Sequence, residues 1–271
     1  MCQDAAVLFF DVDGTLTFFD PEKMTDKDLG AVHPSPAVVD AFHRLRAEGH
    51  KTFICTGRPL WLISPALREL ESAGIVAMAG ATLELDGKVV YEESFDSETI
   101  LEFARRTIAA GSEAMFETNT ATFALEPAGI EESFLPGATV VHSLGDIEAA
   151  CERGVGKICV HAEDLDRVDT DDFVERSFTV CHTGGRNREL SPLGIDKGVG
   201  VARALERLGR AGNARTFGFG DSGNDLGMLA AVETPVAMGN AMEEVKAVAA
   251  YVTDTVEDDG VVTALEHFGL I

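Results

Sequence analysis

"AAVLFFDVDGT", residues 5–15, decides the reading of this chain. The run "AAVLFF" is apolar without alternation, the mark of a strand buried on both faces of a parallel sheet. Asp11 and Asp13 follow where that strand runs out, with Gly14 and Thr15 behind them. Two carboxylates a few ångströms apart repel, and the pair calls for a hard cation between them, a shared proton, or both.

Outward from that strand, the pattern alternates. "SPAVVDAFHRLRAEG" reads as a helix capped by Ser35, opened by Pro36 and stopped at Gly49. "KTFICTG" is a second strand, "SPALRELESAG" a second helix with Ser64 as its cap, and "IVAMAGA" a third strand. Strand, helix, strand, helix, strand implies a parallel sheet with right-handed crossovers. From residue 82 the pattern changes to a hairpin on Asp86-Gly87, a helix over 97–110, and alternating strands with antiparallel character. From residue 196 the α/β rhythm returns, with "DKGVGVARALERLG" as a helix and "ARTFGFGD" as a strand. The expected fold is α/β: a Rossmann-like parallel-sheet core from residues 1–81 and 188–271, with an α+β module inserted over 82–187.

Four polar points stand at the ends of core elements: Asp11 with Asp13, Thr56 in "CTGR", Lys197 in "DKG", and "GDSGND" over Gly220–Asp225. In open parallel sheets, ligands bind beyond the carboxyl ends of the strands, so these points are expected to share one edge. Asp11, Asp13 and Asp221 offer oxygen ligands suited to Mg²⁺. Thr56 offers a hydroxyl and Lys197 a point charge, while backbone N–H groups near Gly14 and Gly57 complete an anion cradle. Cation, lysine and donors facing a carboxylate nucleophile are the parts that phosphoryl transfer needs.

"DVDGT", "TGR", "DKG" and "GDSGND" resemble the four motifs of the haloacid dehalogenase superfamily. The insertion resembles a class-IIB cap, and the nearest group is the Cof-type sugar-phosphate phosphatases. The resemblance implies that Asp11 is the nucleophile forming an aspartyl-phosphate, and that Asp13 protonates the leaving oxygen and then activates water. It implies Mg²⁺ held by the side chains of Asp11 and Asp221 and the backbone carbonyl of Asp13. Thr56, Gly57 and Lys197 would bind the phosphoryl group, Asn224 would position phosphate or a metal-bound water, and Asp225 would orient Lys197 or a metal water from behind. Many relatives read Asn-Gly after the third strand, where this chain has Ala79-Gly80. Ion-pumping ATPases carry a Lys where Val12-Asp13 stands, and dehalogenases lack the second Asp, so transfer to water or to a sugar is favoured. Glu117, Asn119, Arg186 and Arg188 are the polar cap candidates for contacting a leaving group. Trp61 is a candidate for either the pocket wall or helix packing.

Composition narrows the partners. The net charge of -24, from 46 acids against 22 bases, repels phosphate backbones and anionic lipids, so neither nucleic acid nor membrane is expected. No apolar run approaches the ~20 residues of a membrane helix. The first strand begins almost at once with no signal peptide ahead of it, which with five cysteines in no C-x-x-C pair gives a cytoplasmic expectation. "DLDRVDTDD" lacks the turn glycine and final glutamate of a calcium loop and reads as an acidic helix. The leading expectation is a Mg²⁺-dependent phosphatase of small phosphorylated metabolites. A phosphomannomutase-like phosphomutase and a non-enzymatic phosphometabolite sensor are the alternatives. The sequence is silent on oligomeric state.

Overall fold

The computed structural model describes residues 5–18, 32–127, 129–130, 135–183, 186–209 and 215–271. In chain order the strands are β1 (Val7–Phe10), β2 (Lys51–Cys55), β3 (Gly74–Ala77), β4 (Thr82–Leu85), β5 (Lys88–Glu92), β6 (Ala114–Glu117), β7 (Thr122–Leu125), β8 (Thr139–Val141), β9 (Lys157–His161), β10 (Phe178–His182), β11 (Asn187–Pro192), β12 (Thr216–Gly220), β13 (Thr234–Ala237) and β14 (Tyr251–Val252). They form two sheets: an eight-stranded core sheet ordered β14-β13-β12-β1-β2-β3-β4-β5, and a six-stranded cap sheet ordered β10-β11-β9-β6-β7-β8.

The centre of the core sheet is β12-β1-β2, all parallel. β1 is wholly buried, as its unbroken apolar run requires, and Phe10 stacks on Phe219 of β12 at 4.5 Å between ring centroids. The flanking helices close as their caps dictate. Ser35 accepts from the Val38 N–H, and Pro36 opens Pro36–Ala47. The second helix is shorter than its sequence suggests, covering only Pro65–Arg68, again with a serine cap.

Two boundaries differ from the sequence reading. The hairpin over residues 82–92 does not open the inserted module. β4 pairs antiparallel with β3, so the hairpin extends the core sheet. At the other end, β11 pairs with β9 and β10 and belongs to the cap sheet through Pro192, so the return to the core falls later than residue 188. Alternation reports a half-covered strand but not which sheet covers it. The expected acidic helix after residue 164 is two short helices, Ala162–Val168 and Phe173–Ser177, separated where Asp172 takes a left-handed conformation.

A separate apolar core of the cap lies between its sheet and its helices, with Phe103, Phe116 and Ile158 fully buried. A third, smaller cluster joins the two domains. Met115 and Leu135 of the cap pack with Trp61 and Leu62 of the core. The Trp61 indole N–H donates to Thr122 Oγ1 at 3.2 Å, so this residue docks the cap.

Candidate active site

Asp11, Thr56 and Asp221 each follow directly on one of three adjacent parallel strands, β1, β2 and β12. The topology therefore brings them to one edge. Asp11 is held there by its own N–H, which donates to the Phe219 carbonyl at 2.9 Å. Thr56 is buried, and its hydroxyl accepts from the Arg58 N–H.

Lys197 arrives from the other side. It is the first residue of the helix Lys197–Arg207, which Asp196 caps by accepting from the Val199 N–H. Its side chain is fully buried, and Nζ donates to Asp11 Oδ1 at 2.6 Å and to Asp225 Oδ1 at 2.7 Å. Burial alone would lower this amine, but Asp11 and Asp225 outweigh it and hold it well above its ordinary range. Asp225 uses its second oxygen to accept from the N–H groups of Asp221 and Ser222 at 2.9 and 3.0 Å. The fourth motif is thus tied to the lysine through one carboxylate.

Ala79 is buried with φ of +51° and brings no polar group to the turn after the third strand. Gly80 has φ of +103°, and a Cβ there would collide with the Asp196 carbonyl. This turn is a packing surface for the start of the Lys197 helix.

Asp11, Asp221 and Asp225 present carboxylate oxygens within 4.8 Å of one another. Burial, with Asp225 next, raises the Asp11 carboxyl well above its usual range. Burial and then Asp225 push Asp221 up to about 7. Asp221 Oδ1 is buried without a hydrogen-bond partner. A Cβ at Gly14 would collide with the other oxygen of Asp221, so glycine there lets that carboxylate close on the Asp11–Gly14 loop. An orphaned buried carboxylate oxygen among like charges fits a hard divalent cation. Both oxygens of Asp225 are already engaged, which leaves Asp11 and Asp221 as the side chains able to hold one.

The Asp13 side chain lies outside this cluster. It receives a two-pronged pair from Arg58, Nε to Oδ2 at 2.9 Å and Nη2 to Oδ1 at 2.5 Å. Arg58 was present in the quoted "TGR", but an arginine after a turn carries no sign of its partner.

Opposite the core motifs, the cleft of about 380 Å³ is closed by cap residues. Glu117 is among them, buried and 2.9 Å from Lys157 Nζ. Burial raises its carboxyl despite Lys157. Lys157 also donates to Glu189 Oε1 at 2.7 Å. For Glu189, burial acts upward, but Lys157 and the Asn224 hydrogen bond hold the carboxyl below its ordinary value. Lys157 and Glu189 escaped sequence reading because a charged residue in an alternating strand ordinarily faces water.

The other cap candidates lie elsewhere. Asn119 bonds Thr82 Oγ1 at 3.0 Å and Glu92 Oε1 at 2.7 Å, tying the cap to the core hairpin. Arg186 is exposed and pairs with Glu163 at 3.2 Å. Arg188 donates to the Asn187 carbonyl at 2.9 Å and does not line the cleft. Neighbouring strand positions face opposite sides of the sheet, and Arg188 takes the side away from Glu189.

Core and cap with this edge define a haloacid dehalogenase-type phosphatase. The family model of haloacid dehalogenase-like hydrolases matches residues 8–265, and the chain belongs to that family. YkrA of Bacillus subtilis (strain 168) is 27% identical over 276 residues, 99% of each chain. From the same organism, 5-amino-6-(5-phospho-D-ribitylamino)uracil phosphatase YitU is 25% identical over 277 residues, covering 97% of this chain and 98% of its own. Among solved structures, the HAD subclass IIB sugar phosphatase BT4131 superposes with a TM-score of 0.81 at 27% identity, over 98% of this chain and 100% of that one. BT1666 from Bacteroides thetaiotaomicron, a phosphatase of the same superfamily, gives 0.80 at 26% identity, over 100% of this chain and 97% of that one. Among the described residues, no helix is long and apolar enough to cross a membrane.

Proposed function

We propose that this phosphatase hydrolyses small phosphorylated metabolites, sugar phosphates in particular, with Mg²⁺ and through an aspartyl-phosphate on Asp11. The observation that carries this reading is Lys197, fully buried at 2.6 Å from the Asp11 carboxylate. An ammonium so placed both fixes the nucleophile and offers positive charge to the phosphoryl oxygens. Asp11 attacks phosphorus as the bond to the leaving oxygen breaks. Asp13, aimed by Arg58, gives that oxygen a proton. It then takes a proton from the water that cleaves the aspartyl-phosphate, returning Asp11 and releasing orthophosphate. Thr56, the backbone at Gly57, and Asn224 bind the phosphoryl oxygens, and Asp225 keeps Lys197 in line. Asp11, Asp221 and the Asp13 carbonyl would hold Mg²⁺, which supplies charge neutralisation for the transferring group when bound.

The leaving group faces the cap. Glu117 and Lys157 together with Met115, Leu62 and Leu135 line the cleft, a mixture that suits a molecule carrying both hydroxyls and C–H surface. A substrate that is a polyol phosphate, as in the name of YitU, has that character. The net charge of -24 speaks for a small metabolite rather than nucleic acid, and we read the chain as cytoplasmic.

The test is orthophosphate release over a panel of sugar phosphates, nucleotides and cofactor phosphates, with and without chelator, beside Asp11→Asn. Nucleophile removal should cost about 10³-fold or more. Retention of more than about a tenth of the rate overturns the covalent route.

A further inference from the structure

Glu189 reaches out of the cap into the core motifs. It stands on β11, the strand that leads through Pro192 back to Lys197. Its carboxylate is divided between two partners. Oε1 accepts from Lys157 Nζ at 2.7 Å, on the cap. Oε2 accepts from Asn224 Nδ2 at 3.0 Å, on the core. The Asn224 amide cannot simply turn elsewhere, because its oxygen accepts from Ser222 Oγ at 3.0 Å. The same carboxylate lies so close over Gly57 that a Cβ there would collide with Oε1. A buried cap anion therefore takes one of the two N–H donors of Asn224 and covers the Gly57 backbone, two parts of the cradle assigned above to the phosphoryl group.

We propose that Glu189 is an affinity-determining residue, an internal competitor for the phosphoryl subsite. This rests on the reading of Asn224 and Gly57 as phosphate-binding. A carboxylate and a phosphoryl group both present anionic oxygens seeking N–H donors, and two anions do not share one donor set. A phosphoryl group that binds Asn224 displaces Glu189 onto Lys157, where the carboxylate keeps a full ion pair. Substrate then engages the cap with its leaving group while its phosphoryl group works against Glu189. Orthophosphate has no leaving group to offer and meets only the competition. The residue thus weakens substrate and product alike at the phosphoryl subsite, and because orthophosphate has no other hold it promotes phosphate release.

A tie that merely held the cap closed has the opposite sign. Its loss would loosen the cleft and weaken orthophosphate. The test is Glu189→Gln, which keeps the shape but removes the charge and one of the two acceptor oxygens. Competitive inhibition by orthophosphate should tighten at least about tenfold, since like-charge juxtaposition is lost. KM should fall, and kcat should fall with it as release becomes slower. An orthophosphate inhibition constant that is unchanged or raised overturns the proposal. Asn224→Ala should weaken orthophosphate in both backgrounds. If it does not, the cradle reading itself fails and takes this inference with it. A crystal of the wild-type protein with tungstate tests the swap without any substitution. Glu189 should be found on Lys157 alone, and an oxyanion bound at Asn224 with the Glu189–Asn224 bond intact overturns it.

Discussion

Asp221→Asn separates the electrostatics of the site from its chemistry. The Asp221 carboxyl moves from an ordinary 3.8 to about 7. At about 1.4 kcal/mol per unit, ionising it inside the fold costs about 4 kcal/mol. Below its ordinary value the group is neutral in both states and costs nothing. As pH rises, the unfolded chain ionises while the folded one keeps its proton, so stability falls until the folded value near 7 is passed. Between about pH 5 and about pH 8 this loss is about 2–3 kcal/mol. Asparagine does not titrate. In chelator, the melting temperature of Asp221→Asn relative to wild type should therefore rise by about 5–10 °C over that interval. Magnesium should close most of that gap, because a cation at one hundred times its Kd stabilises the wild type by about 2.7 kcal/mol. Thermal melts at two pH values, with and without metal, make the measurement. A variant less stable than wild type in chelator at about pH 8, by a gap that pH does not change, would refute the reasoning.

Arg58→Ala frees the Asp13 carboxylate from its two-pronged partner. It should cost about ten- to a hundredfold in kcat on a sugar phosphate, part of what proton transfer supplies, and much less on acetyl phosphate, whose leaving group needs no acid. Equal losses on both would remove Asp13 from that role. Lys197→Met leaves Asp11 and Asp225 as buried anions without their shared cation, so stability should fall by about 3–5 kcal/mol, read by urea unfolding. All substrates should also lose activity alike, and a reordered substrate preference would count against its place at the common group. Glu117→Gln or Lys157→Met should alter relative kcat/KM among three sugar phosphates while hardly affecting acetyl phosphate. Uniform losses would detach the cap from substrate choice.

The core half of this site was legible because buried parallel strands read as unbroken apolar runs. A polar residue at the end of such a run has a known address. Asp11, Thr56 and Asp221 were found that way, and Lys197 through its helix start. The cap half was not legible. Glu117, Lys157 and Glu189 sit in alternating strands whose polar face would normally meet water. Only the closure of one domain over the other turns that face inward. Arg186 and Arg188 had the same local appearance and lie outside the cleft. The hairpin on Asp86-Gly87 was visible as a hairpin, but its sheet was set by pairing with β3, a contact that alternation does not encode.

Lys157 and Lys197 are both buried, both paired with two carboxylates, and both held above their ordinary pKa. Amine-reactive reagents attack the neutral amine and need access to it, so in the closed protein these two should resist acylation while Lys51 and Lys88 on the surface do not. Both lysines keep their carboxylates when the cap lifts, Lys197 those of the core and Lys157 those of the cap, but Lys197 does not line the cleft. Lys157 faces the cleft itself. Its acylation rate, normalised to Lys88 and followed by mass spectrometry, should therefore count cap openings, with Lys197 as the silent reference in the same peptide digest.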